Sequence, residues 1–351
     1  MGDYIIRTKF VPPGSNKTYW EKPKLWEKYE TIREYPVTVV KAGPGYGKST
    51  TIAAFFRGTS DYYWYNADEM DADPAVFLLN VFSAFHSQND QLAGAAIEAL
   101  TEKPDNAADF IRIINHLIND LAANLKTDSY LIIDDFHVVA NNRQIIEFLA
   151  HFIKLMPPLL HLVLSTRETL SFREWPTWRL KKTVLVIDEK DLMLNSEEIM
   201  SFFEAQYGIT ISPQEAERVL EESEGWIIAL DLLGQGLVHG TELSKVLDAE
   251  ADSLDLLFEY LAYEVLESQS PRVQEFLLRT AVLKNLRVDI CNQLLQIEDS
   301  KVILEEITDK GFFVFVLAPE QYRYHHLVRE FLQKIGREKY DYGSLHRRAS
   351  E

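Results

Sequence analysis

"KAGPGYGKST", residues 41–50, is the stretch from which the fold is read. It meets the pattern A/G-x-x-x-x-G-K-S/T through Ala42, Gly47, Lys48 and Ser49, with Gly43 and Gly45 inside the loop. Glycines let successive backbone N–H groups turn inward around an anion. The lysine of such a loop reaches the β- and γ-phosphates, and the hydroxyl is offered to Mg2+. The flanks suit it: "YPVTVV" (35–40) reads as a strand and "KSTTIAAFF" (48–56) as a helix. Strand, glycine-rich loop and helix is the setting in which a helix N-terminus adds partial positive charge at the anion. A plain Gly/Pro turn would use the same residues, so a second stretch has to decide.

That stretch is "SYLIIDDFHVV" (129–139). The apolar or aromatic run Tyr130–Ile133 ends in Asp134 and Asp135, as a buried parallel strand would. Carboxylates at the C-terminal end of a strand stand where open α/β sheets bind ligands. Asp134 is expected to hold Mg2+ together with Ser49, and Asp135 to orient or deprotonate an attacking water.

Bulk properties bound the rest. The chain has 351 residues, 46% hydrophobic and 12% aromatic, enough for two or three domains with real cores. A net charge of −18 argues against a general affinity for nucleic acid or anionic membrane. The single cysteine, Cys291, rules out an intrachain disulfide and fits a reducing compartment. No apolar run approaches the roughly eighteen residues that a membrane helix needs. "MGDYIIRTKF" has no signal-peptide core, and Ile6 breaks the myristoylation pattern. The expectation is a soluble cytoplasmic protein.

The pattern along the chain predicts an α/β P-loop NTPase domain, a parallel sheet with helices on both faces, followed by an α-helical domain and a winged-helix domain. Residues 1–34 read as an arm and short helix. Residues 35–187 alternate strands (35–41, 62–66, 129–134, 160–166, 183–187) with helices. Asp73 and Pro74 open one of these helices as N-cap and first residue. Residues 188–250 read as helices with capping boxes at Asn195/Glu198 and Ser212/Glu215. Residues 251–340 give helices (253–280, 301–309), a hairpin around "APEQ" and a last helix. Residues 322–349 carry a local charge of +4 and residues 241–270 a local −7. That juxtaposition favours intramolecular packing, so direct DNA binding by the winged helix is not expected.

These residues, in this order, resemble the nucleotide-binding module of the STAND ATPases, and within them the MalT-like large ATP-binding regulators of the LuxR type. The likeness runs through seven stretches covering nearly the whole chain. They are "IIRTKFVPP" (5–13), "AGPGYGKST", "LIIDDFHVV", "HLVLSTRE" (161–168), "SEGWIIALDLL" (223–233), "YLAYEVLESQSPRVQEFLLRTAVL" (260–283) and "YRYHHLVREFL" (322–332). Two departures stand out. Ile227 replaces the proline that packs on adenine in the family's G-W-P motif, and "EKPKL" (21–25) replaces a more basic arm segment.

The resemblance implies a switch. ADP would hold a closed resting form, ATP with an inducer would open it and allow self-association, and slow ATP hydrolysis would reset it. The nucleotide would be held by Gly43, Pro44, Gly45, Tyr46, Gly47, Lys48, Ser49 and Thr50. Arg167 would sense the γ-phosphate, and His325, or its neighbour His326, would contact the β-phosphate of ADP. Trp226 reads as core. "YGSLHRRASE" (342–351) reads as the first helix of a sensor domain through which an inducer would act. Two other readings remain open: a P-loop ATPase machine of AAA+ type, and a STAND-type defence or signalling protein with a non-DNA effector.

Overall fold

The structure, a computed structural model, describes residues 5–14, 20–102, 104, 106–238, 260–267 and 269–350. Its contacts divide into two units: the chain up to Ala42 together with Lys48–Leu192, and Gly43–Gly47 together with the chain from Met193 onward.

The first unit is a parallel sheet of five strands: β1 (Val37–Lys41), β2 (Tyr62–Asn66), β3 (Ser129–Asp134), β4 (Leu160–Thr166) and β5 (Val184–Ile187). Their spatial order is β2-β3-β4-β1-β5, every neighbouring pair parallel. β4 therefore lies between the strand that feeds the glycine loop and the strand that carries Asp134. The register pairs Lys41 with Thr166 and Asn66 with Asp134, so the strands' C-terminal ends lie along one edge. β3 and β4 are almost wholly buried, as their continuous apolar runs require.

Helices α1 (Pro23–Glu30), α2 (Lys48–Phe55), α3 (Pro74–Gln88), α4 (Gly94–Thr101), α5 (Ala107–Asn124), α6 (Arg143–Leu155), α7 (Trp175–Leu180) and α8 (Glu189–Leu192) complete this unit. Their starts follow local chemistry. Asp73 accepts from the amides of Ala75 and Val76, with Pro74 first in the helix, and Asn106 and Asn142 cap α5 and α6 in the same way. The core packs Phe77, Phe82 and Phe85 of α3 and Phe148 and Phe152 of α6 against Tyr63, Tyr65, Leu131 and Ile133 of the sheet.

The arm is pinned to this core by a buried ion pair that the sequence reading did not foresee. Lys9 Nζ meets both oxygens of Asp71, at 2.6 and 2.7 Å, and Asp68 at 2.9 Å. Asn80 donates to the same Asp71 at 2.8 Å, and Asn66 donates to the carbonyls of Lys9 and Val11.

The second unit starts with α9 (Ser196–Tyr207), α10 (Pro213–Ser223) and α11 (Ile227–Val238). Both expected capping boxes form, Asn195 with Glu198 and Ser212 with Glu215. A π-helical segment (Ala262–Glu267) and helices Pro271–Thr280, Val288–Leu295 and Ser300–Asp309 follow. A three-stranded sheet of order β6-β8-β7 is built from β6 (Leu286–Arg287), just before the second of these helices, and from β7 (Val314–Ala318) and β8 (Gln321–Tyr324), after the third. Helices His326–Lys339 and Tyr342–Ser350 end the described chain.

The hairpin expected around "APEQ" is β7–β8, antiparallel. β6, which pairs antiparallel with β8 through two residues, was not expected. The division between units falls after Leu192, and α8 belongs to the first, so the second unit resumes at Met193, five residues after the start of the helical stretch read from the sequence at 188. The start of the helix expected from residue 253, most of the acidic stretch 241–270, and residue 351 lie outside the described residues.

Candidate functional site

The first unit gathers Lys48, Ser49, Asp134, Asp135 and Arg167 at the C-terminal ends of β1, β3 and β4. Lys48 opens α2 with only 6% of its surface exposed, and its Nζ donates to the Ala42 carbonyl at 2.8 Å. Burial lowers its pKa to about 8; Arg167 pushes the same way, and Asp135, Asp134 and Glu189 oppose. Ser49 Oγ donates to Asp134 Oδ1 at 2.8 Å. Asp134 is buried, and its pKa is raised by loss of solvent and then by repulsion from Asp135.

Asp135 differs from its neighbour. Its backbone is left-handed (φ 52°, ψ 36°), ending the strand and turning the chain into the short 3-10 turn Phe136–Val138. Its side chain is 42% exposed, and its Oδ1 stands 3.7 Å from His137 Nδ1. The His137 pKa is pulled down to about 3 by burial and then by the positive charges of Arg167 and Lys48. The imidazole is thus neutral near pH 7 and lies in the field of both cations. His137 closes the D-D-F-H run of "LIIDDFHVV", from which no role is expected for it. Thr50 continues the first turn of α2 beside Thr51, whose hydroxyl meets Tyr29 at 2.8 Å and ties α1 to α2.

The glycine loop itself, Gly43–Gly47, groups with the second unit. Gly45 and Gly47 adopt positive φ, 72° and 79°, the turn for which glycines were expected. At Gly45 there is a second constraint, because an added Cβ would meet Ile228 Cγ2 at 2.8 Å and Trp226 Nε1 at 3.0 Å. Two loop carbonyls are held from outside the loop: Trp226 Nε1 donates to Pro44 at 3.2 Å, and the Ile228 amide donates to Gly45 at 3.3 Å. The Tyr46 ring lies 6.2 Å from both Trp226 and Phe313. Trp226 is core, as expected, but its polar edge is spent on the loop.

His325 caps the helix His326–Lys339 and is fully buried against Trp226, 5.2 Å between rings, with Phe313 and Phe315 close by. Its Nε2 donates to the Ser223 carbonyl at 3.1 Å, and burial lowers its pKa to about 4. The ring is thus a neutral packing group. The phosphate contact expected of it would require it to exchange the Ser223 carbonyl for an anion. His326 is half-exposed between Glu222 and Glu330.

The donor set suits a hard cation. A hydroxyl and a carboxylate, both oxygen donors, already touch, and the buried carboxylate is repelled by Asp135, a repulsion that a divalent ion would relieve. Among the described residues no cluster of three or more His, Cys, Asp or Glu side chains could bind a metal by itself.

Comparison with known proteins agrees with the motifs. Residues 262–341 match the family described as the MalT winged helix domain. The HTH-type transcriptional regulator MalT of Yersinia pestis (strain Pestoides F) is 26% identical over 334 residues, 94% of this chain and 36% of the relative. That of Serratia proteamaculans (strain 568) is 27% identical over 338 residues, with the same coverages. The chain therefore spans about a third of the length of the curated relatives it matches. Among solved structures, the Walker-type ATPase PABY2304 of Pyrococcus abyssi superposes with a TM-score of 0.65 at 16% identity, covering 92% of this chain and 98% of that one. The resemblance to the MalT regulators is borne out along 94% of the chain, and so is an α/β P-loop fold followed by helical and winged-helix parts. Among the described residues no helix is long and apolar enough to cross a membrane.

Proposed function

We propose that this chain is the adenine-nucleotide switch module of a MalT-like transcriptional regulator, resting with ADP bound and turning over ATP slowly. The observation that carries the reading is the contact between Ser49 and Asp134. It joins the residue after the phosphate-loop lysine to the end of a strand two places away in the sheet. A structural turn has no need of that pairing, whereas an Mg2+-nucleotide site does.

The phosphates are cradled by residues 43–50, through the backbone N–H groups of all of them but Pro44, at the start of α2. Lys48 exchanges the Ala42 carbonyl for phosphate oxygens. Ser49 and Asp134 would hold Mg2+, which when bound offsets phosphate charge. Asp135, on its left-handed turn and partly open to solvent, positions the attacking water and takes its proton. Arg167, following β4, supplies positive charge for the γ-phosphate.

Switching follows from linkage. ATP moves a closed/open equilibrium only by its differential affinity for the two forms. A swing from 1:99 to 99:1 takes about 5.5 kcal/mol of difference. A γ-phosphate contact supplies part, and an inducer the remainder; self-association of the open form then carries the signal. The test is turnover. The chain should release phosphate from Mg-ATP far more slowly than it exchanges bound nucleotide in the presence of EDTA. Sustained turnover of many cycles per second, with assembly into rings, would instead make it an ATPase machine.

A further inference from the structure

The segment Ser223–Ile228, between α10 and α11, is gripped on two sides. From the winged-helix part, Arg323 reaches Glu224 through two bonds, Nη1 to Oε1 at 2.8 Å and Nη2 to Oε2 at 2.7 Å. The Glu224 Oε1 also accepts the His326 amide at 2.9 Å, and His325 donates to the Ser223 carbonyl. Glu224 itself stands at φ 49°, a conformation that a non-glycine residue holds only when its surroundings enforce it. The next residue, Gly225, has no room for a Cβ, which would collide with the Leu194 backbone. On the other side, the same elbow holds the phosphate loop by Trp226 Nε1 and the Ile228 amide.

We propose that Trp226 is a positioning residue for the phosphate loop and that the Glu224–Arg323 pair holds it in place, so the winged-helix part sets how the loop receives phosphate. The proposal rests on the reading that this loop holds nucleotide. The chain of contacts is continuous: Arg323 to Glu224, along three bonded residues to Trp226, and from its indole to Pro44. Bidentate geometry makes the first link directional, which a lysine could not reproduce. Tyr46 and Phe313 fill the space around the indole, so the ring cannot turn away while the winged helix stays docked. Asp135 and Arg167 would carry out the chemistry, while the elbow fixes the shape of the cradle.

The test uses the purified chain and three variants: Trp226→Phe, which keeps the ring and removes the N–H, Arg323→Gln, and Arg323→Lys. Two readouts are taken. The first is amide hydrogen exchange of peptides spanning residues 41–50 in nucleotide-free protein. The second is the dissociation rate of a fluorescent ADP analogue. Exchange in the loop should rise in Trp226→Phe and in Arg323→Gln, with Arg323→Lys falling between the latter and wild type. Dissociation should quicken by about five- to tenfold, the loss of one net hydrogen bond, with melting temperatures within a few degrees of wild type. Unchanged exchange in well-folded Trp226→Phe and Arg323→Gln would overturn the proposal whatever the nucleotide does. Raised exchange in a chain that fails to bind the ADP analogue would sustain the elbow–loop linkage and overturn the nucleotide reading instead.

Discussion

Ser49 and Asp134, 85 positions apart in sequence, share a hydrogen bond of 2.8 Å. The bond depends on sheet order. β4 separates the strand before the loop from the strand that ends in Asp134, and α2 carries Ser49 toward that gap. The buried carboxylate gains a donor, while its raised pKa leaves it poised to accept a cation's charge.

Lys48→Ala should abolish nucleotide binding. Because the ammonium is buried and bonded to the Ala42 carbonyl, the substitution also leaves that oxygen without this donor. If ADP braces the protein, the variant loses the linkage stabilisation, about 4 kcal/mol for a ligand at a thousand times its Kd. Thermal melts with and without added ADP measure this. Equal melting temperatures for wild type and variant, with nucleotide demonstrably lost, would remove bracing from the account.

Asp135→Asn should keep Mg-ATP and slow hydrolysis by two orders of magnitude or more, the typical contribution of a positioned general base (about 10²–10⁴-fold). Single-turnover hydrolysis with equal nucleotide occupancy separates the effects. A variant that hydrolyses as fast as wild type removes Asp135 from the base role.

Lys9→Met should destabilise the first unit by about 3 kcal/mol, the cost of leaving one side of a buried pair uncompensated. The Asp71 side chain is only 1% exposed, and the bond from Asn80 does not neutralise it. Urea unfolding measures the loss. A change below about 0.5 kcal/mol would show that the pair contributes no more than a surface contact.

The His325 pKa, lowered from 6.5 to about 4, makes the protein acid-sensitive. Between those values the unfolded chain takes up a proton that the folded one refuses. Stability is therefore full above pH 6.5 and falls as pH drops toward 4, by up to about 1.4 kcal/mol per pH unit. His325→Gln should flatten that limb of the stability–pH curve. An equally steep limb in the variant would assign the sensitivity to other groups, His137 among them.

Much of this fold was legible in local sequence. All five strands of the large sheet lie within two residues of their expected bounds, since buried parallel strands write themselves as apolar runs. Both capping boxes and the Asp73–Pro74 helix start formed because their chemistry spans only three or four residues. The wing hairpin was visible for the same reason, but β6 was not, as a two-residue strand carries no period.

The site divides along the same line. The loop and the paired aspartates are contiguous patterns. The grip of Trp226 on Pro44, of Arg323 on Glu224 and of Lys9 on Asp71 joins residues 182, 99 and 62 positions apart, which no local pattern encodes. Trp226 was read as core from its apolar body; its N–H, which needs a partner when buried, was the available clue. His325 reads as a phosphate contact from its motif; that its Nε2 donates to Ser223 and its ring packs on Trp226 is tertiary and not written locally.

The most direct test of the switch reading is to denature freshly purified protein and identify the released nucleotide by chromatography. The account predicts about one ADP per chain, retained through purification without added nucleotide. A site that purifies empty and then turns over Mg-ATP briskly would contradict it.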